Sequence, residues 1–212
     1  MDLIIRLETP ADYGTVEDLT RESFWNVHVP GCDEHYLVHK MRYHPDFIPE
    51  LDFVAVYDDK IVGSIIYTKS RIIDDALNEI GTITFGPLCV LPEYQKCGIG
   101  SALINHSRKV SLDLGYRAII IEGHPHNYCK HGFKGSKTYN IADHEGKYPY
   151  SLLVLELEKG FLSGQNWKYY SSDVFQFDAD AAAEFDAQFP YKEKKYATTQ
   201  EEFQIASQAF IL

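Results

Sequence analysis

Gln95-Lys96-Cys97-Gly98-Ile99-Gly100-Ser101 is a glycine-rich turn between a strand-like run ending near Val90 and a segment of helical periodicity. From Gly98 to Leu114 the apolar residues Ile99, Leu103, Val110 and Leu114 share one helical face, and Gly115 stands where a C-terminal glycine belongs. The turn therefore sets several free backbone N–H groups at a helix N-terminus, an arrangement that binds phosphate. Its glycines let the backbone approach an anion closely, and the helix dipole adds partial positive charge. Neither GxxxxGK[ST] nor GxGxxG is present, so the turn is not a P-loop or a dinucleotide fingerprint.

Upstream, Ile80 to Val90 reads as a strand interrupted by Gly86-Pro87, where a proline argues for a bulge or a local loss of pairing. Asp52–Tyr57 and Lys60–Tyr67 are rich in β-branched and aromatic residues, and Asp58-Asp59 supplies the turn of a hairpin. Leu3–Leu7 reads as a first strand. Thr9-Pro10 opens a helix to about Ser23, and Asp33 to Tyr43 forms a second. Downstream, Arg117–Glu122 is a buried strand, which with the turn and helix describes a βαβ-like unit, and Ser151–Leu157 is a late strand. Ile80–Val90 and Arg117–Glu122 are expected to be neighbours that part near Gly86-Pro87. In the tail, Asp178 to Gln188 reads as a short capped helix, and Thr199-Gln-Glu-Glu202 resembles a capping box opening another. Gly164 and Asn166 lie nearest to a boundary.

The chain has 212 residues, 45% of them hydrophobic and 14% aromatic, which suits one compact domain and excludes a disordered chain. Its net charge of -11 opposes polyanionic partners, so nucleic acid and anionic membranes are not expected. The apolar start Leu3-Ile4-Ile5 is too short for a signal-peptide core and no window approaches a membrane span, so the expected location is the cytoplasm. Cys32, Cys89, Cys97 and Cys129 form no CxxC pair and are expected to be free thiols.

Two motifs together, the Gln95-x-x-Gly98-x-Gly100 turn and Tyr128-Cys-Lys-His-Gly132-Phe133 after the next strand, resemble the GNAT superfamily of N-acetyltransferases. The resemblance runs from Leu3 to about Glu158. It implies an α/β (α+β) fold with a mixed, splayed central sheet of about six or seven strands and helices on both faces. Residues 1–159 would form the acetyltransferase domain, and residues 160–212 a C-terminal extension packed on that domain or on a partner subunit. Acetyl-CoA would lie in the splay as co-substrate. By position the resemblance assigns pantetheine contacts to Leu88 and Val90, and contacts around the pyrophosphate to Gln95, Lys96, Cys97, Gly98, Gly100 and Ser101.

The implied reaction is transfer of the acetyl group directly to an amine, either a small molecule or a peptide; a non-catalytic acyl-CoA-binding regulatory module would share every cofactor contact. The Leu88 backbone N–H would stabilise negative charge on the thioester oxygen, and Tyr128 would protonate the departing sulfur. A core aromatic is the alternative for Tyr128. His124 is carried as the base, with Glu122 and His126 as further candidates at the end of the strand leading to Tyr128; His124 and Ile121 stand where many relatives have Ala and Asn. The cluster His124, His126, Cys129 and His131 matches no established metal spacing, and no metal is expected. Cys97 and Cys129 lack an evident base partner for a nucleophilic role. Phe24 to His28 falls where the family lines its acceptor pocket, although Phe24 and Trp25 could equally be core. A homodimer is left open.

Overall fold

The computed structural model describes residues 3–176 and 178–212. Strand β1 (Leu3–Leu7) is followed by a 3-10 turn at Pro10–Asp12, where the Asp12 carboxylate accepts from the Thr9 amide at 2.9 Å and from the Thr9 hydroxyl at 2.7 Å. Helices α1 (Tyr13–Phe24) and α2 (Glu34–Met41) come next, the second shorter at both ends than its periodicity suggests. Then β2 (Phe53–Tyr57) and β3 (Lys60–Asp74) form the expected hairpin, with Asp58 and Asp59 both at positive φ, as a primed two-residue turn requires. Strand β4 (Glu79–Val90) leads through the glycine turn into α3 (Ile99–Asp113), and β5 (Ala118–Glu122) into the short α4 (Pro125–Tyr128).

Strands β6 (Lys134–Gly135), β7 (Ile141–Ala142), β8 (Leu152–Glu156) and β9 (Trp167–Tyr170) complete the sheet, and α5 (Ala179–Asp186) and α6 (Thr198–Gln208) the tail. Among the described residues the sheet has nine strands, in the order β1-β2-β3-β4-β5-β8-β6, with β9 pairing both β3 and β7. That exceeds the six or seven expected, because β6 and β7 are only two residues long and β9 four, too short to show periodicity. Strand β9 lies beyond residue 159 yet pairs with β3 from Arg71 to Asp74. The expected capping box at Thr199 does not form. The cap position is Ala197, and the Thr199 hydroxyl instead donates to the Val27 carbonyl at 2.8 Å.

Side-chain alternation along β3 fixes which helix covers which face. Gly63 faces Ile99 and Leu103 of α3, and the Tyr67 hydroxyl lies 2.7 Å from that of Ser107 on the same helix. Ser64, one residue on, lies 3.1 Å from Cys89 Sγ, which in turn contacts Thr20 of α1 at 3.5 Å. Helices α1 and α3 thus cover opposite faces. A second apolar cluster, with Ile72, Ile120, Trp167 and Tyr169, occupies the α1 face of the later strands. Arg42, at the end of α2, is almost fully buried and binds Glu8 through two nitrogens, at 2.7 and 3.0 Å, and Glu17 at 2.7 Å, tying α2 to α1 and to the end of β1. Burial and a hydrogen bond to Glu8 push the neighbouring Asp52 carboxyl far above its usual range, so it joins this cluster as the neutral acid.

Candidate active site

The site begins where the sheet opens. Strands β4 and β5 run parallel and pair at Ile83 and Ile119 only. Just beyond, Gly86-Pro87 form a bulge: Tyr67 still faces Phe85, but Ile65 faces Leu88, so two residues of β4 are spanned by one of β3. The Leu91 amide donates to the Val62 carbonyl at 2.9 Å, which makes that pair hydrogen-bonded. Antiparallel pairs alternate, so Gly63 with Val90 and Ile65 with Leu88 are the non-bonded pairs. The amide and carbonyl groups of Leu88 and Val90 therefore point away from β3, into the gap where β5 has left the sheet. The Val90 carbonyl accepts from the Ser23 hydroxyl at 3.0 Å and from Gln95 Nε2 at 3.1 Å. Its amide is the group left to face the gap.

The glycine turn sits beside this edge. Lys96 and Gly98 adopt positive φ, and Gly98, as the N-cap of α3, offers no side chain to satisfy the helix's first amides. The first α3 bond joins the Ala102 amide to the Gly98 carbonyl, leaving the amides of Ile99, Gly100 and Ser101 without helical partners. Lys96 and Cys97 are exposed, and Cys97 Sγ donates to the Gln95 carbonyl. A side-chain carbon placed on Gly100 would meet Val90 at an ordinary 3.8 Å, so packing alone does not demand glycine there. Ser101 Oγ lies 3.5 Å from His131 Nε2, which brings the start of α3 against the turn that follows α4; burial and the nearby Lys130 hold that imidazole below its ordinary pKa.

Tyr128 closes α4 at the fork between β4 and β5. Its ring is 5.7 Å from Phe85, the last residue before the bulge, and 5.8 Å from Phe133, which places it on the α3 face. Burial pushes its phenol up to about 12, so it is protonated at neutral pH and able to donate. Gly123 makes room for it: a Cβ there would lie 2.5 Å from the Tyr128 ring. Sequence reasoning missed Gly123, because its need arises only when the chain folds back on itself through α4.

The base candidates separate by face. Glu122 alternates with Ala118 and Ile120, whose side chains pack in the cluster on the α1 face. It is reachable by solvent at the strand end yet surrounded by protein, and desolvation, then the Asp143 carboxylate, raise its pKa, opposed by His144. His124 is exposed, and its Nδ1 accepts from the His126 amide at 3.4 Å as the N-cap of α4. The rings of His124 and His126 stand 6.4 Å apart. Among the described residues, three ligating side chains converge within 4.8 Å at His44, Asp46 and Asp173, away from this cluster. All four cysteines are free, Cys32 and Cys89 buried and Cys97 and Cys129 exposed.

A sheet splayed at a bulge, with a glycine turn capping a helix beside the open strand, is the arrangement that the two sequence motifs imply. Residues 50–135 match the family model described as the acetyltransferase (GNAT) domain. Over 97 residues the chain is 34% identical to the uncharacterized N-acetyltransferase YjhQ of Escherichia coli K12, a match covering 43% of this chain and 51% of that protein. The chain thus spans about half the length of that curated relative. It is 27% identical over 140 residues to the uncharacterized N-acetyltransferase YhbS of the same organism, covering 66% of this chain and 78% of that protein. The crystal structure of YhbS in complex with CoA superposes with a TM-score of 0.70 at 22% identity, over 82% of this chain and 91% of that one. A GNAT acetyltransferase from Brucella melitensis in complex with acetyl-CoA gives 0.64, also at 22% identity, over 82% and 99%. Through residues 50–135 the chain is similar to GNAT acetyltransferases, and its fold matches theirs.

Proposed function

We propose that this protein is an N-acetyltransferase that moves the acetyl group of acetyl-CoA directly to an amine. The carrying observation is the free edge of β4: Leu88 and Val90 face an unpaired gap beside the uncapped start of α3. In this reading the pantetheine arm replaces β5 as the partner of β4, its amide groups pairing with that edge, while the pyrophosphate takes the amides around Gly98, Gly100 and Ser101. Gln95 holds the turn to β4 through its bond to Val90, and Lys96 and Cys97 flank the phosphates.

The chemistry then divides between the faces. The amine approaches from the α1 face and gives its proton to Glu122, which burial and the Asp143 carboxylate make a stronger base than an exposed carboxylate; His124 is the weaker candidate because its Nδ1 caps α4. The amine nitrogen bonds to the thioester carbon, and the Leu88 amide stabilises the oxyanion. The carbon–sulfur bond then breaks, and Tyr128, on the α3 face, protonates the leaving thiolate. A regulatory module that only binds acyl-CoA would need neither Tyr128 nor Glu122 at the fork. The acidic chain, with no described helix long and apolar enough to cross a membrane, supports a cytoplasmic enzyme with neither nucleic acid nor membrane as partner.

The cofactor site is tested by Gly100→Asp. Because the protein tolerates a side chain there, the fold is expected to persist while the carboxylate meets the pyrophosphate, weakening acetyl-CoA binding by about tenfold or more, at least 1.4 kcal/mol. Calorimetry giving unchanged affinity in the folded variant would remove the pyrophosphate from this turn.

A further inference from the structure

The C-terminal segment runs from one lip of the cleft to the other. Its first anchor lies behind α1, on the β4 side. Trp25 Nε1 and Asn26 Nδ2 both donate to the Glu193 carbonyl at 3.1 Å, and the Lys195 amide donates to Asn26 Oδ1 at 2.9 Å. Gln200 Nε2 reaches the Asn26 carbonyl at 3.1 Å, Thr199 bonds to Val27, and Phe203 stacks on His28 at 4.6 Å. This stretch is fastened to β4 because Ser23, at the end of α1, bonds to Val90.

The second anchor lies on the β5 side. The Tyr150 amide donates to the Ala209 carbonyl and the Ile211 amide to the Tyr148 carbonyl, each at 2.8 Å, and Lys137 Nζ reaches the Leu212 carbonyl. Tyr150 is tied to β5: its ring is 6.2 Å from His124, and the adjoining Ser151 carbonyl accepts from the Gly123 amide at 2.9 Å. Helix α6 joins the anchors. Its 11 residues span about 16 Å at 1.5 Å per residue. The strap crosses on the side of the α1 C-terminus, whereas the glycine turn and α3 lie on the opposite face.

We infer that residues 192–212 wall the acceptor side of the cleft, so that the site takes a compact small-molecule amine and rejects a lysine held within a polypeptide. The inference rests on the acetyl-transfer reading for the identity of the cleft. A polypeptide that continues on both sides of the acceptor lysine, one side-chain length from the reacting nitrogen, would meet the segment between Asn26 and Tyr150. A small amine does not. The strap is attached at one end by hydrogen bonds between side chains and backbone and at the other by backbone–backbone bonds, which makes it a fixed wall.

The test uses CoA joined through an acetyl linker either to a small diamine or to the central lysine of a peptide, with binding read by calorimetry. Two variants are compared with the intact protein: a chain ending at Tyr191, which keeps Asp186 and Phe189, and the quadruple substitution Asn26→Ala, Thr199→Ala, Gln200→Ala, Phe203→Ala, which removes the first anchor except for the bond from Trp25 to Glu193. The intact protein is expected to bind the small conjugate about tenfold more tightly than the peptide conjugate. Both variants should bind the two alike while holding CoA itself with unchanged affinity. Equal preference in the intact protein, or a preference that survives in the variants, overturns the inference. Loss of CoA binding in both variants overturns it as well, since the segment would then belong to the cofactor site. Release of free thiol on adding amines to the intact protein tests acetyl transfer separately: its failure alongside retained size selection would sink catalysis and leave the wall standing.

Discussion

Tyr128→Phe is expected to lower kcat by about 10²-fold, at the lower end of what a general acid contributes, because a thiolate leaves more readily than most groups. The substitution keeps the ring packed between Phe85 and Phe133 and removes only the hydroxyl, so acetyl-CoA affinity should hardly change. Burial raises the phenol to about 12, so the wild-type acid stays protonated through neutral and moderately alkaline pH. Its ionisation should therefore not limit the rate below that range, and the loss in Tyr128→Phe should be uniform there. Rates must be taken at saturating acceptor, since a shifted KM could imitate a chemical defect. A variant that turns over at the parental rate would make Tyr128 a packing residue.

Asp186→Ala is expected to cost about 3–5 kcal/mol of stability, the range for breaking a buried ion pair and leaving one charge unpaired. The Arg21 side chain is only 5% exposed and bonds to Asp186 at 2.7 Å, with the fully buried His35 ring nitrogen 3.2 Å from the same oxygen. The guanidinium also lies 4.2 Å above the Trp25 ring, so Arg21 cannot turn to solvent without undoing that contact. Denaturant unfolding reads the loss directly. A cost below about 1 kcal/mol, the range of exposed pairs, would mean that α5 is held by its apolar contacts instead.

The parts of the fold carried by local chemistry were legible in the sequence. Proline within an otherwise β-rich run announced the bulge at Gly86-Pro87, and the apolar spacing from Ile99 to Val110 announced α3. Asp178 caps α5, accepting from the Asp180 amide at 2.9 Å as its sequence pattern suggests. What escaped depends on distant partners. Strand β9 is four residues of a segment that has no strand signal until β3 offers it an edge, and it lies just past the Gly164 and Asn166 turn that reads as a boundary. Thr199 fits a capping box in isolation, but the Val27 carbonyl, brought close by the folded tail, takes its hydroxyl. The Arg21 and Asp186 pair spans 165 residues, and no periodicity links such positions.

The site divides in the same way. The glycine turn and the tyrosine motif could be read because each is contiguous. The assignment of Glu122 and Tyr128 to opposite faces could not, since it follows from the register of β5 against β8 and from the turn at Gly123. That division also bears on the base: sequence order ranks His124 beside Glu122, whereas the structure engages one as a cap and crowds the other with a carboxylate.

The central claim is tested most directly by incubating the purified protein with acetyl-CoA and a panel of small amines, following free CoA thiol and identifying the product by mass spectrometry. Acetyl transfer requires that thiol appear in step with N-acetylated amine for at least one acceptor, and that both fall together in Tyr128→Phe. Acetyl-CoA bound tightly with no acceptor acetylated, or thiol released without any acetylated amine, would contradict it.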